Sequence, residues 1–304
     1  DLLELVDIEF DELPPVIGVE AALAEGAPLL YPDTGTNVVG AIPFGDPPDA
    51  LAEALSSAAH VIERELSIQR VTYSSMEPRG LLAEWTPSTE QMTVHTSTQV
   101  PHLVREELAT MLSVRMDQVR VVSPDIGGAF GGKTTLHVDE AMVCVAATVL
   151  GRRLKWIEDR AEALTASYQG RGQTARAKLG LDTDGTFVAL SVDLLGDVGA
   201  FPTTAGTGPF QVCGLTIEGP YRFPVAGATV TGVYTNTVPT AAYRGYGMQE
   251  SAWIRERMID EAARELSISP VEIRRRNLLT AADMPYTTRT MLTYDSGDYR
   301  SAFD

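Results

Sequence analysis

The spacing of apolar and polar side chains predicts a mixture of helices and strands. Helices are expected at 49–59, 102–114, 135–150 and 251–266 and from Ser269 onward, and strands at 5–10, 61–73 and 118–122. Two further strands, 173–182 and 186–197, flank the turn Thr183-Asp184-Gly185 and predict a β-hairpin. The stretch 32–48 is rich in Gly, Pro, Asp and Asn and is expected to be a linker. Strands and helices do not alternate regularly, so the predicted fold class is α+β.

Charge and cysteine content exclude several classes of protein. The 304 residues carry 41 acidic and 24 basic side chains, a net charge of −17, and residues 1–63 contain no Lys or Arg. Such a surface is repelled by phosphate backbones, so nucleic-acid binding is not expected. No apolar run reaches the ~20 residues of a membrane-spanning helix, and the default expectation is a cytoplasmic protein without a membrane partner. Two cysteines are too few for a cysteine-ligated iron–sulfur cluster or a four-cysteine zinc site.

A glycine-rich loop at 127–132 lies between a predicted strand and a predicted helix. Four glycines in six residues leave backbone N–H groups free to face an anion or a polar ligand. The stretch Gly127–Thr134 also satisfies the phosphate-loop pattern G-x-x-x-x-G-K-[ST], so a nucleotide triphosphatase remains an alternative. Against it, Pro124-Asp125 interrupts the preceding strand, and Phe130 places a large ring inside the loop. No convincing strand ending in a magnesium-binding Asp follows, because Lys155 breaks the apolar run at 154–159.

A second loop, Ala242–Glu250, places Arg244 and Tyr246 among glycines directly before a predicted helix. Together the two loops resemble those of the molybdenum-binding large subunit of the xanthine dehydrogenase, aldehyde oxidase and carbon monoxide dehydrogenase family. Further segments resemble this family in the same order along the chain: Met76–Gly80, Thr96–Pro101, Glu158–Arg160, Gly196–Phe201 and Ser269–Asn277.

The resemblance implies a domain organisation. Residues 41–304 would form the first molybdopterin-binding domain, and residues 1–40 would be the end of an α/β hammerhead-like region with a linker. The family's catalytic glutamate, which acts as a general base, lies in a C-terminal half that has no counterpart in these 304 residues. The chain therefore resembles only part of a large subunit.

The resemblance also implies roles for individual residues. Gln99 matches a glutamine whose amide donates a hydrogen bond to an oxygen on molybdenum, and Arg244 matches an arginine beside the cofactor; both are expected to serve catalysis and cofactor binding. Tyr246 and Thr134 are expected to face the substrate. The backbone of the glycine loop should approach the cofactor at Gly128, Ala129, Phe130 and Gly131. Molybdenum is held through the pterin dithiolene in this family, so no protein side chain is expected to ligate it.

The function implied is oxidative hydroxylation of an aldehyde or an aromatic N-heterocycle, with water as the oxygen source. The cofactor would be molybdopterin, with its cytosine dinucleotide as one form. Electrons would pass to an iron–sulfur small subunit and an FAD medium subunit, and the remaining half of the large subunit would be a further partner. Gly245 replaces the cysteine of carbon monoxide-oxidising members, and Thr134 replaces a glutamate of purine-oxidising members. A truncated, inactive scaffold chain is the non-enzymatic alternative.

Overall fold

The computed structural model describes residues 5–304, in which two β-sheets are flanked by helices. The strands are β1 (Val38–Gly45), β2 (His60–Val71), β3 (Gly80–Thr86), β4 (Gln91–Thr96), β5 (Val119–Val122), β6 (Leu154–Ile157), β7 (Gly170–Leu181), β8 (Phe187–Gly199), β9 (Val225–Tyr234), β10 (Tyr286–Thr287) and β11 (Thr293–Tyr294). The helices are α1 (Val19–Leu23), α2 (Pro48–Ser57), α3 (Pro101–Met111), α4 (Val138–Leu150), α5 (Arg160–Thr165), α6 (Gly208–Leu215), α7 (Met248–Leu266), α8 (Pro270–Asn277) and α9 (Tyr299–Phe303).

The larger sheet has five strands in the order β1-β9-β8-β7-β2, and its pairs are antiparallel except for β8 with β9. Helices α6, α7 and α8 contribute to its core, in which Phe187, Leu190, Phe210 and Met258 are almost completely buried. Burying such side chains contributes about 1.5–3 kcal/mol each relative to leaving them in water. This packing fixes the start of α7, where the second sequence loop ends.

The smaller sheet has four strands in the order β5-β4-β3-β6 and packs against α3 and α4. Met92, Val94, Leu108 and Cys144 are fully buried in its core. The chain passes from the larger sheet to the smaller one through the segment between β2 and β3. The glycine-rich loop follows β5 at the end of the smaller sheet, so its position depends on this second core.

Several sequence predictions are confirmed. The hairpin of β7 and β8 turns at Asp182–Thr186, where the N–H of Gly185 donates to the Asp182 carbonyl. The fourth helix ends at Gly151, which has a φ of +59°, as expected for a glycine that terminates a helix. Ser269 caps α8 by accepting a hydrogen bond from the N–H of Val271. The mixed composition of sheets and helices confirms the α+β class.

Three predictions are wrong. Residues 6–10 form no strand; their side chains alternate, but no neighbouring strand within the described residues offers them a hydrogen-bonding ladder. The expected linker 32–48 contains β1, an edge strand in which Pro43 is tolerated because one side of an edge strand needs no N–H donor. Residues 154–157 do form a strand, since the side chain of Lys155 lies on its exposed face.

The strand β1 runs across residue 40, and the division into 1–40 and 41–304 remains a prediction. Within residues 5–304, no helix is both long enough and apolar enough to cross a membrane.

Candidate functional site

The two sequence loops meet where the two sheets adjoin. The N–H of Arg244 donates to the carbonyl of Phe130 over 2.8 Å. Gly131 has a φ of +99°, and a Cβ at this position would lie 2.7 Å from the carbonyl oxygen of Ala242. Only glycine allows this close approach of the two backbones. The fold therefore brings together two segments that are more than 100 residues apart in the sequence.

Three of the eight non-glycine residues that have a positive φ in the described chain lie at this contact. Phe130, Arg171 and Tyr246 have φ values of +52°, +68° and +49°, in the left-handed region that non-glycine residues rarely adopt. Arg171 reaches the same place from β7, where its guanidinium donates to the Arg244 carbonyl over 2.9 Å. Strained residues persist only where their surroundings over-determine them, and they cluster at functional sites. The strain supports this junction as the candidate site.

The side chain of Gln99 lies beside the glycine-rich loop. Its Oε1 accepts the N–H of Gly131 over 3.0 Å, and its backbone N–H donates to the Lys133 carbonyl over 2.9 Å. Because a backbone N–H can only face the amide oxygen, this bond fixes the orientation of the Gln99 amide. Its Nε2 has no protein acceptor within residues 5–304, so the amide retains free donor capacity.

The glycine-rich loop presents several unpaired backbone donors. Within the described part of the chain, the N–H groups of Gly128, Ala129 and Phe130 donate to no protein atom. Ala129 is buried, whereas the residue Phe130 is 44% exposed. Backbone N–H groups are strong donors that proteins rarely leave unsatisfied, and here they are free together on one turn. They suit a ligand that carries several acceptor atoms.

Lys133 does not face a ligand. Its side chain is only 1% exposed, and its Nζ donates to the carbonyl and to the carboxylate of Glu77, both over 3.0 Å. The same carboxylate accepts the N–H of Gly127 over 2.7 Å. Burial alone would raise the pKa of Glu77, but the bonds from Gly127 and Lys133 outweigh it and lower the pKa. The turn therefore already holds an anion of its own.

This arrangement does not fit a phosphate-binding loop. The lysine is neutralised by a protein carboxylate, and α4 begins only at Val138, beyond the loop rather than directly after Lys133. Asp159, the residue that ends the stretch 154–159, caps α5 instead, where its carboxylate accepts the N–H of Glu162 over 2.8 Å. The geometry thus removes the basis for a nucleotide triphosphatase.

The other predicted site residues lie in or near the junction. Arg244 is exposed, and no carboxylate within residues 5–304 forms an ion pair with it. Thr134 Oγ1 donates to the Gly131 carbonyl over 2.6 Å and so braces the loop. The half-buried Tyr246 donates its hydroxyl to the Ala205 carbonyl over 3.3 Å, and burial raises its pKa. The hydroxyl of Tyr246 is therefore engaged with the protein, and its ring provides the remaining surface.

His137 supports the glycine-rich loop, a role that sequence analysis missed. It is buried at 2% exposure, its Nε2 lies 2.9 Å from the Gly132 carbonyl, and its ring stacks on Tyr168 at 4.1 Å between centroids. Burial, followed by the nearby charge of Arg79, lowers the pKa of His137 to about 4, so the ring is neutral and its Nε2 carries the hydrogen that bonds Gly132. In the sequence, the stretch 137–140 shows only a lone histidine, and nothing in it indicates that this histidine supports the loop.

A buried ion-pair network lies beneath the loop. Arg79 is 1% exposed and donates to Glu158 and to Asp139, in each case over 2.6 Å. The carboxylate of Glu140 is also buried, and it accepts hydrogen bonds from Thr96 Oγ1 and from the backbone N–H of His137. Burial raises the pKa of Glu140 to about 7. The network joins β3, α4 and the end of β6, and it fixes the smaller sheet at the junction.

Glu140 makes stability depend on pH. Its pKa is raised from 4.5 to about 7, so its contribution is fully present below pH 4.5 and is lost as the pH rises towards 7. Glu140→Gln should therefore gain stability relative to the unmodified protein over this range, by up to about 3 kcal/mol. His137 acts in the opposite direction, so the two proteins must be compared by thermal unfolding at each pH. A difference in Tm that is the same at pH 5 and pH 8 would contradict this assignment.

Comparison with known proteins defines the class of protein to which this fold and site belong. Residues 30–278 match the family model described as the molybdopterin cofactor-binding domain. The match includes both loops and Gln99, and the chain belongs to this family. The resemblance to the molybdenum-binding large subunits is therefore confirmed.

Two individual relatives and one solved structure are similar to this chain over almost its whole length. The chain is 34% identical to the carbon monoxide dehydrogenase large chain of Hydrogenophaga pseudoflava. The alignment covers 99% of this chain and 39% of that relative. It is 31% identical to the nicotine 6-hydroxylase large subunit of Paenarthrobacter nicotinovorans, covering all of this chain and 37% of the relative. Quinoline 2-oxidoreductase from Pseudomonas putida 86 superposes with a TM-score of 0.91 at 36% identity, over 99% of this chain and 38% of the other. The chain thus spans less than two fifths of the length of these relatives.

Proposed function

We propose that this chain is the molybdopterin-binding part of the large subunit of a molybdenum hydroxylase. The proposal is carried by one observation: three backbone donors of the glycine-rich loop lie beside the amide nitrogen of Gln99, and none of the four has a protein acceptor within residues 5–304. A cofactor with oxygen and sulfur acceptors fits this donor set, because amide dipoles stabilise negative charge without bringing an ionisable proton. The family match and the relatives, which include hydroxylases and dehydrogenases, support the same function.

The residues at the junction fit the cofactor in distinct ways. Gly128, Ala129, Phe130 and Gly131 would hold it through the backbone turn that they form, and Gln99 would donate from Nε2 because Oε1 is held by Gly131. When bound, the molybdenum cofactor supplies the redox centre that accepts two electrons from the substrate while water supplies the oxygen. The protein contributes fixed donors that need no reorganisation during the reaction.

Arg244 and Tyr246 would act on the second side of the site. The guanidinium of Arg244 is exposed and without an ion pair in the described chain, so it can face an anionic group of the cofactor. The ring of Tyr246 offers an aromatic wall, which suits aldehydes and aromatic N-heterocycles. Thr134 provides no negative charge for a purine ring, and Gly245 provides no thiolate for a copper bridge. We therefore propose that xanthine is a poor substrate and that carbon monoxide is not oxidised.

The partners follow from the proposed reaction. The relatives are named as large chains or large subunits, which indicates complexes with further subunits. We propose the remaining half of the large subunit, an iron–sulfur small subunit and an FAD medium subunit as partners, in the cytoplasm. The cytosine dinucleotide form of the cofactor is part of the proposal.

The activity of the assembled complex tests the proposal. With an artificial electron acceptor, kcat/KM should be higher for an aldehyde or N-heterocycle than for xanthine, and no carbon monoxide should be consumed. Gln99→Ala should lower kcat by about 10²-fold, the usual effect of removing one fixed donor. The control Gln91→Ala, at the exposed start of β4, should leave kcat unchanged.

Two results would contradict the proposed function. Magnesium-dependent ATP hydrolysis that Lys133→Ala abolishes would favour the nucleotide triphosphatase. A complex that contains its cofactor but oxidises none of these substrates would favour an inactive scaffold.

A further inference from the structure

The side chain of Arg171 binds the second loop, Ala242–Glu250, through three contacts. Its guanidinium donates from Nη2 to the Arg244 carbonyl and from Nη1 to Glu250, each over 2.9 Å, and it lies over the Tyr243 ring at 4.6 Å from the centroid. One side chain thus contacts a ring, a carbonyl and a carboxylate of the segment 243–250. A planar guanidinium can make these contacts together, whereas an ammonium cannot.

The backbone of β7 is distorted so that Arg171 can make these contacts. Arg171 has a φ of +68° and lies between Gly170 and Gly172. A Cβ on Gly170 would lie 2.4 Å from the Cβ of Tyr243, so glycine is needed for the loop to pack here. The strain at Arg171 is maintained by the contacts that its side chain makes.

Glu250 depends on Arg171. Its side chain is 1% exposed in the first turn of α7, and within residues 5–304 its Oε2 has no hydrogen-bond partner. In the described part of the chain, Glu250 forms an ion pair with one guanidinium, that of Arg171, whose own side chain is 13% exposed. A buried ion pair of this kind contributes little net free energy to folding, because apolar residues of similar volume often stabilise a protein equally well. Its geometric contribution is to fix where the guanidinium lies.

We propose that Arg171 and Glu250 are positioning residues that fix Arg244 and Tyr246 against the glycine-rich loop. The backbone of Arg244 is held from two sides, through its N–H by Phe130 and through its carbonyl by Arg171. Loss of Arg171 removes the bond to the Arg244 carbonyl and leaves the bond from its N–H to Phe130 in place. The backbone donors and Gln99, which are proposed to hold the cofactor, are untouched, so the pair governs the placement of Arg244 and Tyr246 and leaves this main donor set in place. This assignment rests on the proposed function.

The double variant Arg171→Met/Glu250→Gln separates positioning from stability. It removes the contact with Arg244 without leaving a buried unpaired charge, so Tm should stay within a few degrees of the unmodified complex. Molybdenum content should be unchanged, and kcat/KM should fall by about 10²-fold, as expected for a displacement of about 1 Å at a site. The matched control is Arg176→Met, which removes an exposed ion pair with Glu65 on the same strand and should change neither quantity.

Hydrogen–deuterium exchange provides a readout that does not depend on the cofactor. In the double variant, amides 243–247 should exchange at least tenfold faster, while those of the β7–β8 hairpin stay protected. If the double variant fails to fold, Arg171→Lys retains the charge but loses the bond to Arg244, and the same exchange and kcat/KM changes are expected.

Wild-type kcat/KM or unchanged exchange at 243–247 in the folded variant would overturn the proposal, as would a loss of molybdenum in proportion to activity. If the unmodified complex contains no molybdenum, the proposed function fails. The exchange comparison then still decides whether this pair positions the loop.

Discussion

Arg79→Met is expected to destabilise the protein by about 3–5 kcal/mol, the usual effect of removing one partner from a buried ion pair. Arg79 is 1% exposed, and its loss leaves the carboxylate of Glu158, also 1% exposed, without a counterion. Because the smaller sheet and α4 are joined through this group, Tm should fall by roughly 5–8 °C. Thermal unfolding followed by circular dichroism measures the change.

The neighbouring pair Arg153–Glu84 provides the control. It joins the same sheet, but its side chains are 61% and 45% exposed, so Arg153→Met should cost no more than about 1 kcal/mol. Equal shifts in Tm for the two variants would show that the Arg79 network does not hold the smaller sheet in place.

Gly131→Ala should have the largest effect on the candidate site. The new Cβ would lie 2.7 Å from the Ala242 carbonyl oxygen and 3.1 Å from the Cα of Tyr243, which are backbone atoms that cannot rotate away. Left-handed strain costs about 1–2 kcal/mol, and the overpacking adds about 1–3 kcal/mol. The two loops must separate, so molybdenum content should fall to less than about a tenth of the normal value, given the donor set proposed for this cofactor.

Gly18→Ala separates strain from steric overlap. Gly18 has a similar φ of +89°, but nothing lies within 4 Å of its would-be Cβ. The control should therefore lose some stability and keep its molybdenum. A Gly131→Ala complex with full molybdenum content and the Tm of Gly18→Ala would refute the close approach of the two loops.

Much of the local structure could be predicted because the signals are local. The hairpin at Asp184-Gly185 and the helix stop at Gly151 depend on backbone conformations that few residues adopt. The strand expected at 5–10 failed for the opposite reason, since alternation describes one face of a strand but does not supply a neighbour with which to pair. Edge strand β1 was missed because glycines and Pro43 resemble a turn, although an edge position tolerates them.

The candidate site was predicted only in part. The glycines stand out in the sequence because four of them occur within six residues, whereas Gln99 was identified only through the resemblance to the family. The residues that position them belong to no recognisable motif. Glu77, His137 and Arg171 act through contacts that only the fold brings about. Lys133 shows the same limit, because only the fold reveals that this lysine is buried and neutralised by the half-exposed carboxylate of Glu77, and that the phosphate-loop pattern is coincidental.

The metal and pterin content of the purified, assembled complex tests the central claim most directly. Elemental analysis combined with detection of the released pterin should give about one molybdenum and one molybdopterin for each copy of this chain, since the cofactor supplies the redox chemistry of the proposed reaction. A fully assembled and folded complex that contains neither molybdenum nor pterin would contradict the account.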